Sequence, residues 1–153
     1  MPTERAHIRD ARADDCRVLS ALAFASKAYW GYDDAFMEAC REELMIRPVD
    51  LEHAKVRVAV ATTIVGFHGI DGDELRWMFV DPAATGRGIG AALFADALEV
   101  ARSAGLGTLR IDSDPNAAGF YERMGARRVG ETPSASIRGR HLPVFLIDLS
   151  SVT

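Results

Sequence analysis

Residues 80–98 read VDPAATGRGIGAALFADAL. Glycines at 86, 88 and 90 separate an apolar run ending at Val80 from a helical pattern. That pattern, from about Gly88 to Ala104, predicts a helix burying Ile89, Leu93, Ala97 and Val100, with Asp96, Glu99 and Arg102 outside. Gly105 supplies the cap after it. The stretch is therefore a strand, a bare loop and a helix start. Backbone without Cβ atoms lets another molecule approach, and amides at a helix start favour an anion.

Outward from this stretch the pattern is regular. On the N-terminal side, AHIRDAR predicts a first strand, and Asp14 and Asp15 open a helix to about Lys27 through Leu19, Leu22 and Ala23. A second helix carries Phe36, Cys40 and Leu44 on one stripe and stops before Pro48. KVRVAV, IVGFHGI and ELRWMFV then form a meander, with Gly72 turning the hairpin at DGD, residues 71–73. Beyond the long helix, TLRI predicts a strand and NAAGFYERMG a short helix. ARRVG and PVFLIDL close the chain as strands on either side of the loop ETPSASIRGRHL. The order β-α-α-β-β-β-α-β-α-β-β predicts an α/β fold, a mixed, mostly antiparallel sheet flanked by helices with one right-handed crossover. At 153 residues, with no linker or repeat, residues 1–153 read as one domain.

Composition narrows the function classes. The net charge is -4, the arginines are scattered, and no basic stripe with interleaved aromatics argues for nucleic acid. No apolar stretch approaches the roughly 20 residues that a membrane helix needs. The charged N-terminus has no signal-peptide core, and two cysteines without a framework, Cys16 and Cys40, suit a reducing cytosol; the expected location is cytoplasmic. His7, His53, His68 and His141 lie on separate elements without metal-ligand spacing, so no metal is expected. The C-terminal strands and loop are compatible with a homodimer.

Three phosphate-bearing ligands compete for the glycines. A P-loop needs a lysine after its last glycine, and none follows here. Gly86-x-Gly88-x-x-Ala91 matches the dinucleotide fingerprint, with Asp112 placed for a ribose. However, DPAAT separates the strand from the first glycine, and too little chain remains for a doubly wound domain.

The third ligand fits more of the chain. VDPAATGRGIG before a helix, then NAAGFYERMGARRVGE after a strand, resembles the GNAT superfamily of acetyl-CoA-dependent N-acetyltransferases. Its pattern is a strand ending in V-x-P, a [QR]-x-x-G-x-[GA] loop and an [FL]-Y-x-x-x-G segment. The resemblance spans nearly the whole chain and implies the GNAT fold, acetyl-CoA as cosubstrate and an amine acceptor. It implies cofactor binding by Phe79, Val80, Thr85, Gly86, Arg87, Gly88, Ile89, Gly90, Ala91, Asn116, Phe120 and Tyr121. Two departures stand out. Thr85 replaces the family's Gln or Arg, and Asp114 falls where an Asn is common, leaving Asn116 as the substitute pantetheine contact.

Read from the residues alone, Tyr121 is a core aromatic beside Phe120. The resemblance makes it the proton donor to the departing thiolate, and puts the backbone N–H of Met78, near a strand bulge, on the thioester oxygen. Glu74, His68 or a water chain remains open as the base. In SKAYWGYDD, residues 26–34, Tyr29, Trp30 and Tyr32 precede Asp33 and Asp34. These groups suit a cationic amine, or equally an aromatic corner pinned to the core. The activity implied is transfer of acetyl to a primary amine of a small molecule or peptide in a ternary complex. The alternative is a non-catalytic acyl-CoA sensor or partner domain of the same fold.

Overall fold

The computed structural model describes residues 6–150, so the N-terminal reading of residues 1–5 lies outside it. Strands β1 (His7–Asp10), β2 (Lys55–Val60), β3 (Ile64–Asp71), β4 (Glu74–Val80), β5 (Thr108–Asp112), β6 (Arg127–Pro133) and β7 (His141–Asp148) form one sheet. Its order is β1-β2-β3-β4-β5-β7-β6. Every pairing is antiparallel except β4 with β5. The helices are α1 (Cys16–Ala28), α2 (Asp34–Cys40), α3 (Asp50–His53), α4 (Ile89–Ser103) and α5 (Ala118–Arg123).

The helices cover both faces of the sheet. Leu19, Leu22 and Ala23 of α1 pack with Val56, Val58, Phe67 and Trp77 on one side. On the other, Phe94, Ala97 and Ala101 of α4 meet Leu75, Leu109, Ile111 and Phe145. Central strand β3 is buried along almost its whole length, as a strand covered on both faces must be.

Four elements depart from the sequence reading. The second helix ends at Cys40, and the chain reaches buried Leu44 through tight turns such as Leu44 N–H to the Arg41 carbonyl. Helix α3 was not expected; Asp50 makes it by accepting from the Arg47 N–H at 2.8 Å. Strand β6 continues to Pro133 because Glu131, Thr132 and Pro133 pair with β7, which shortens the predicted loop. Asp96, expected on the outer face of α4, instead turns toward the sheet, where Arg57 and His68 hold it at 2.9 and 2.7 Å.

Candidate active site

The site begins where two strands part. Between β3 and β4 the register slips by one residue, with Gly69 opposite Trp77 and Ile70 opposite Leu75. Arg76 is the extra residue, so the bulge lies two residues before Met78, which pairs regularly with His68. Gly69 is needed there because a Cβ would drive into the Trp77 ring. Such a bulge bends its strand and ends pairing. Accordingly β4 pairs with β5 at Glu74 and, among the described residues, has no pairing with it beyond that point.

The alternation of an antiparallel strand decides which groups face the gap. The Asp81 N–H bonds the Val65 carbonyl of β3 at 2.8 Å. One residue earlier the N–H and C=O point the other way, so Val80 and Met78 present theirs to the opening. The Met78 N–H therefore faces the opening, two residues beyond the bulge.

After Val80, Asp81 caps a turn at Pro82–Ala84 by accepting from the Ala83 N–H, and the glycine loop follows. Gly86 and Gly88 take φ of +81° and +77°, a region that disfavours any side chain, and Gly88 caps α4. No side chain caps this helix, leaving the first-turn amides for a ligand. Gly90 has a second reason to be glycine: a Cβ there would lie 3.3 Å from the Phe120 ring. The Thr85 hydroxyl donates to the Pro82 carbonyl at 3.0 Å. Arg87 is exposed and does not line the cleft.

The cleft holds about 970 Å³ and is lined by Gly86, Gly88, Ile89, Gly90 and Ala91, by β4, and by Phe120 and Tyr121. Tyr121 is 5% exposed, its ring set among Phe94, Phe120 and Phe145 at 5.3 to 6.1 Å. Its hydroxyl makes no hydrogen bond to any described residue. Burial, and secondarily the Asp114 charge, pushes the phenol well above its ordinary value, so it keeps its proton. Glu74 also lines the cleft, and burial followed by the Asp112 charge raises its carboxyl.

Other expected residues sit differently. His68 is fully buried and its Nε2 donates to Asp96 on α4, outside the cleft, which removes it as a base. Tyr29 and Trp30 line the cleft and are exposed, but Tyr32 does not line it. The Tyr32 ring stacks on Phe36 with centroids 4.0 Å apart, and its hydroxyl meets Asp114, Asn116 and Arg140 at 2.7 to 3.0 Å. Asp33 caps α2 through the Phe36 N–H, and Asp34 begins that helix. Asp33 therefore serves a helix start, and neither loop acid lines the cleft. Asn116 donates both amide protons, to Tyr32 and Asp114, leaving its carbonyl oxygen for a ligand.

Sequence reasoning missed Lys27 and Arg140. Both line the cleft and both bond Asp114, at 3.2 and 3.3 Å. They lie 87 and 26 residues from it, so no local pattern joins them. Among the described residues no helix is long and apolar enough to cross a membrane.

A helix N-terminus facing a strand edge left open by a bulge defines a GNAT-like acyltransferase architecture. Comparison with known proteins agrees. Residues 16–136 match the acetyltransferase (GNAT) domain, and the chain belongs to that family. A GCN5-related N-acetyltransferase from Rhodopseudomonas palustris is similar in fold, with a TM-score of 0.81 at 22% identity over 97% of this chain and 98% of that one. The PaiA N-acetyltransferase of Thermoplasma acidophilum, solved in complex with coenzyme A, has a TM-score of 0.73 at 18% identity over 94% and 98%. The peptidyl-lysine N-acetyltransferase YjaB of Salmonella typhimurium is 37% identical over 68 residues, 44% of this chain and 46% of that protein. That match thus spans about half of the curated relative.

Proposed function

We propose that this protein transfers the acetyl group of acetyl-CoA to a primary amine of a small molecule or peptide, by direct attack in a ternary complex. One observation carries the reading: a single cleft joins the start of α4, which no side chain caps, the unpaired edge of β4 and Tyr121.

The fit to the cosubstrate is chemical. A pyrophosphate suits the free amides and dipole at the α4 start, where Gly86 and Gly88 offer open backbone. A pantetheine arm carries amides that suit a strand edge, offered here by Val80, with the Asn116 carbonyl as a further acceptor. Acetyl-CoA supplies the activated acyl group as a thioester.

The chain's own groups do the rest. The Met78 N–H polarises the carbonyl oxygen, a preorganised contact typically worth about 10²–10³ in rate. An alkyl ammonium, pKa about 10.4, must lose a proton before it attacks. Glu74 is the base, because it alone of the two side-chain candidates lines the cleft. As nitrogen bonds to the acyl carbon and the carbon–sulfur bond breaks, Tyr121 gives its proton to sulfur and is restored by the second proton that the nitrogen sheds. The products are the acetylated amine and free coenzyme A, with one proton released to solvent.

YjaB's name keeps peptidyl lysine among the acceptors to try. Incubation of the protein and acetyl-CoA with amino acids, polyamines, aminoglycosides and lysine peptides, followed by thiol detection, tests the reading. Amine-dependent thiol release supports it. Coenzyme A binding with no release for any amine leaves the acyl-CoA sensor instead.

A further inference from the structure

Beside Tyr121 the wall of the cleft carries a cluster that the reaction above does not use. Lys27 at the end of α1 and Arg140 before β7 both contact the Asp114 carboxylate. Their side chains are 11% and 16% exposed, and that of Asp114 is 15% exposed. Tyr32 adds no charge, because burial and then Asp114 push its phenol up to about 12. Two enclosed cations therefore share one enclosed anion. Of the other acids that line the cleft, Glu43 is solvent-exposed, where water and salt screen it, Asp112 is paired with Arg110 at 2.8 Å, and Glu74 stands at the start of β4.

Asp114 has little left to give. It already accepts from the Asn116 N–H and Nδ2, the Tyr32 hydroxyl, Lys27 and Arg140. Arg140 has donors to spare. Its Nη2 bonds Tyr32 at 2.7 Å and Asp114 at 3.3 Å, while Nη1 and Nε have no partner among the described residues. The guanidinium lies over the Phe36 and Tyr32 rings, with centroids 4.9 and 5.1 Å away, which fixes its plane. A guanidinium held in place with free donors is built to meet a carboxylate. Tyr29 and Trp30, exposed on the same cleft, offer apolar surface beside it.

We infer that the acceptor amine carries a carboxylate, as a free amino acid does, and that Arg140, with Lys27 behind it, holds that carboxylate. The inference rests on the acetyltransferase reading and narrows its acceptor. It also departs from the cationic-amine reading of the stretch at residues 26–34, since the acceptor would carry a negative charge as well. Removing the acceptor's carboxylate leaves the enclosed positive charge without its second anion. A charge-assisted hydrogen bond lost in this way lowers kcat/KM by about ten- to a hundred-fold.

The test compares L-amino acids with their carboxamides on the wild-type protein, with rates corrected for the fraction of free amine. The free acid should be preferred by at least about ten-fold. Arg140→Gln should remove most of that preference, and Arg140→Lys should keep part of it. Equal kcat/KM for acid and amide would overturn the inference and leave the acetyltransferase reading standing. Best turnover on polyamines or on lysine peptides with blocked termini would overturn it too. If neither acid nor amide is acetylated, nor any other amine, the parent reading falls and this one with it. A loss of coenzyme A affinity in Arg140→Gln that disappears with 3′-dephospho-coenzyme A would assign the cluster to the cosubstrate's phosphate and refute the acceptor role.

Discussion

Replacing Tyr121 by Phe removes one oxygen and leaves the ring where it is. That ring is packed against Phe94, Phe120 and Phe145, and its hydroxyl has no hydrogen bond to any described residue. No internal bond is lost, so unfolding free energy should change by less than about 1 kcal/mol. The reaction should respond differently. General acid catalysis is typically worth about 10²–10⁴, and a water in the cleft can replace part of it, so a fall of about 10² in kcat is expected. That corresponds to about 2.7 kcal/mol of transition-state stabilisation. Because the contact forms as sulfur leaves, kcat and kcat/KM should drop together. Coenzyme A affinity should stay near wild type, since the loop amides and the β4 edge supply it. With the phenol pushed upward by burial, the wild-type rate should show no alkaline decline from Tyr121 below about pH 10. Thiol release, calorimetric titration and urea midpoints on the two proteins measure all three quantities. Wild-type kcat in the variant, or a loss confined to stability, would refute the proton-donor role.

Gly88→Glu should abolish coenzyme A binding, and with it the rise in thermal midpoint that the ligand gives; Gly88→Ala controls for the +77° backbone, which costs about 1–2 kcal/mol. Unchanged affinity in the glutamate variant, or a midpoint raised by NADH or ATP but not by coenzyme A, would move the phosphates elsewhere. Gly69→Ala should destabilise the fold by about 1–3 kcal/mol, because its Cβ meets Trp77 at the bulge; an unchanged urea midpoint would contradict that packing. Burial lowers the folded pKa of His68, so the unfolded chain takes up its proton first on acidification. Stability should fall as pH drops through about 6.5, and His68→Gln should lack that part of the slope; identical pH profiles would refute it.

What the sequence disclosed follows from the range of the forces involved. Strand β4 runs from Glu74 to Val80 as read, because its apolar run and the DGD turn are local signals. The same holds for Gly88 at the start of α4 and for Gly105, whose φ is +82°, after its end. The packing of Tyr121 on Phe120 was legible from the residues, whereas its place on the cleft was suggested only by the family pattern, since a lone tyrosine looks like core. The Asp114 cluster was not legible at all. Its members come from α1, the loop before α2, the turn before α5 and the β6–β7 loop, and only folding brings them together. Asp96 failed for a related reason. Helical periodicity put it outside, but a buried histidine and Arg57 on neighbouring strands draw it inward. The bulge at Arg76 likewise leaves no mark in the alternation of β4, whose consequence is the open edge.

Direct attack in a ternary complex is the central claim, and one single-turnover measurement tests it. The protein is mixed with acetyl-CoA labelled in its acetyl group, with and without an amine accepted in the screen, then quenched and weighed by mass spectrometry. The account predicts that label passes to the amine nitrogen only when the amine is present, while the protein stays unlabelled throughout. Cys16 and Cys40 are buried thiols whose pKa burial raises, so neither is poised to take the acetyl group first. Label accumulating on the protein before the amine is added, and then chasing onto it, would contradict the account.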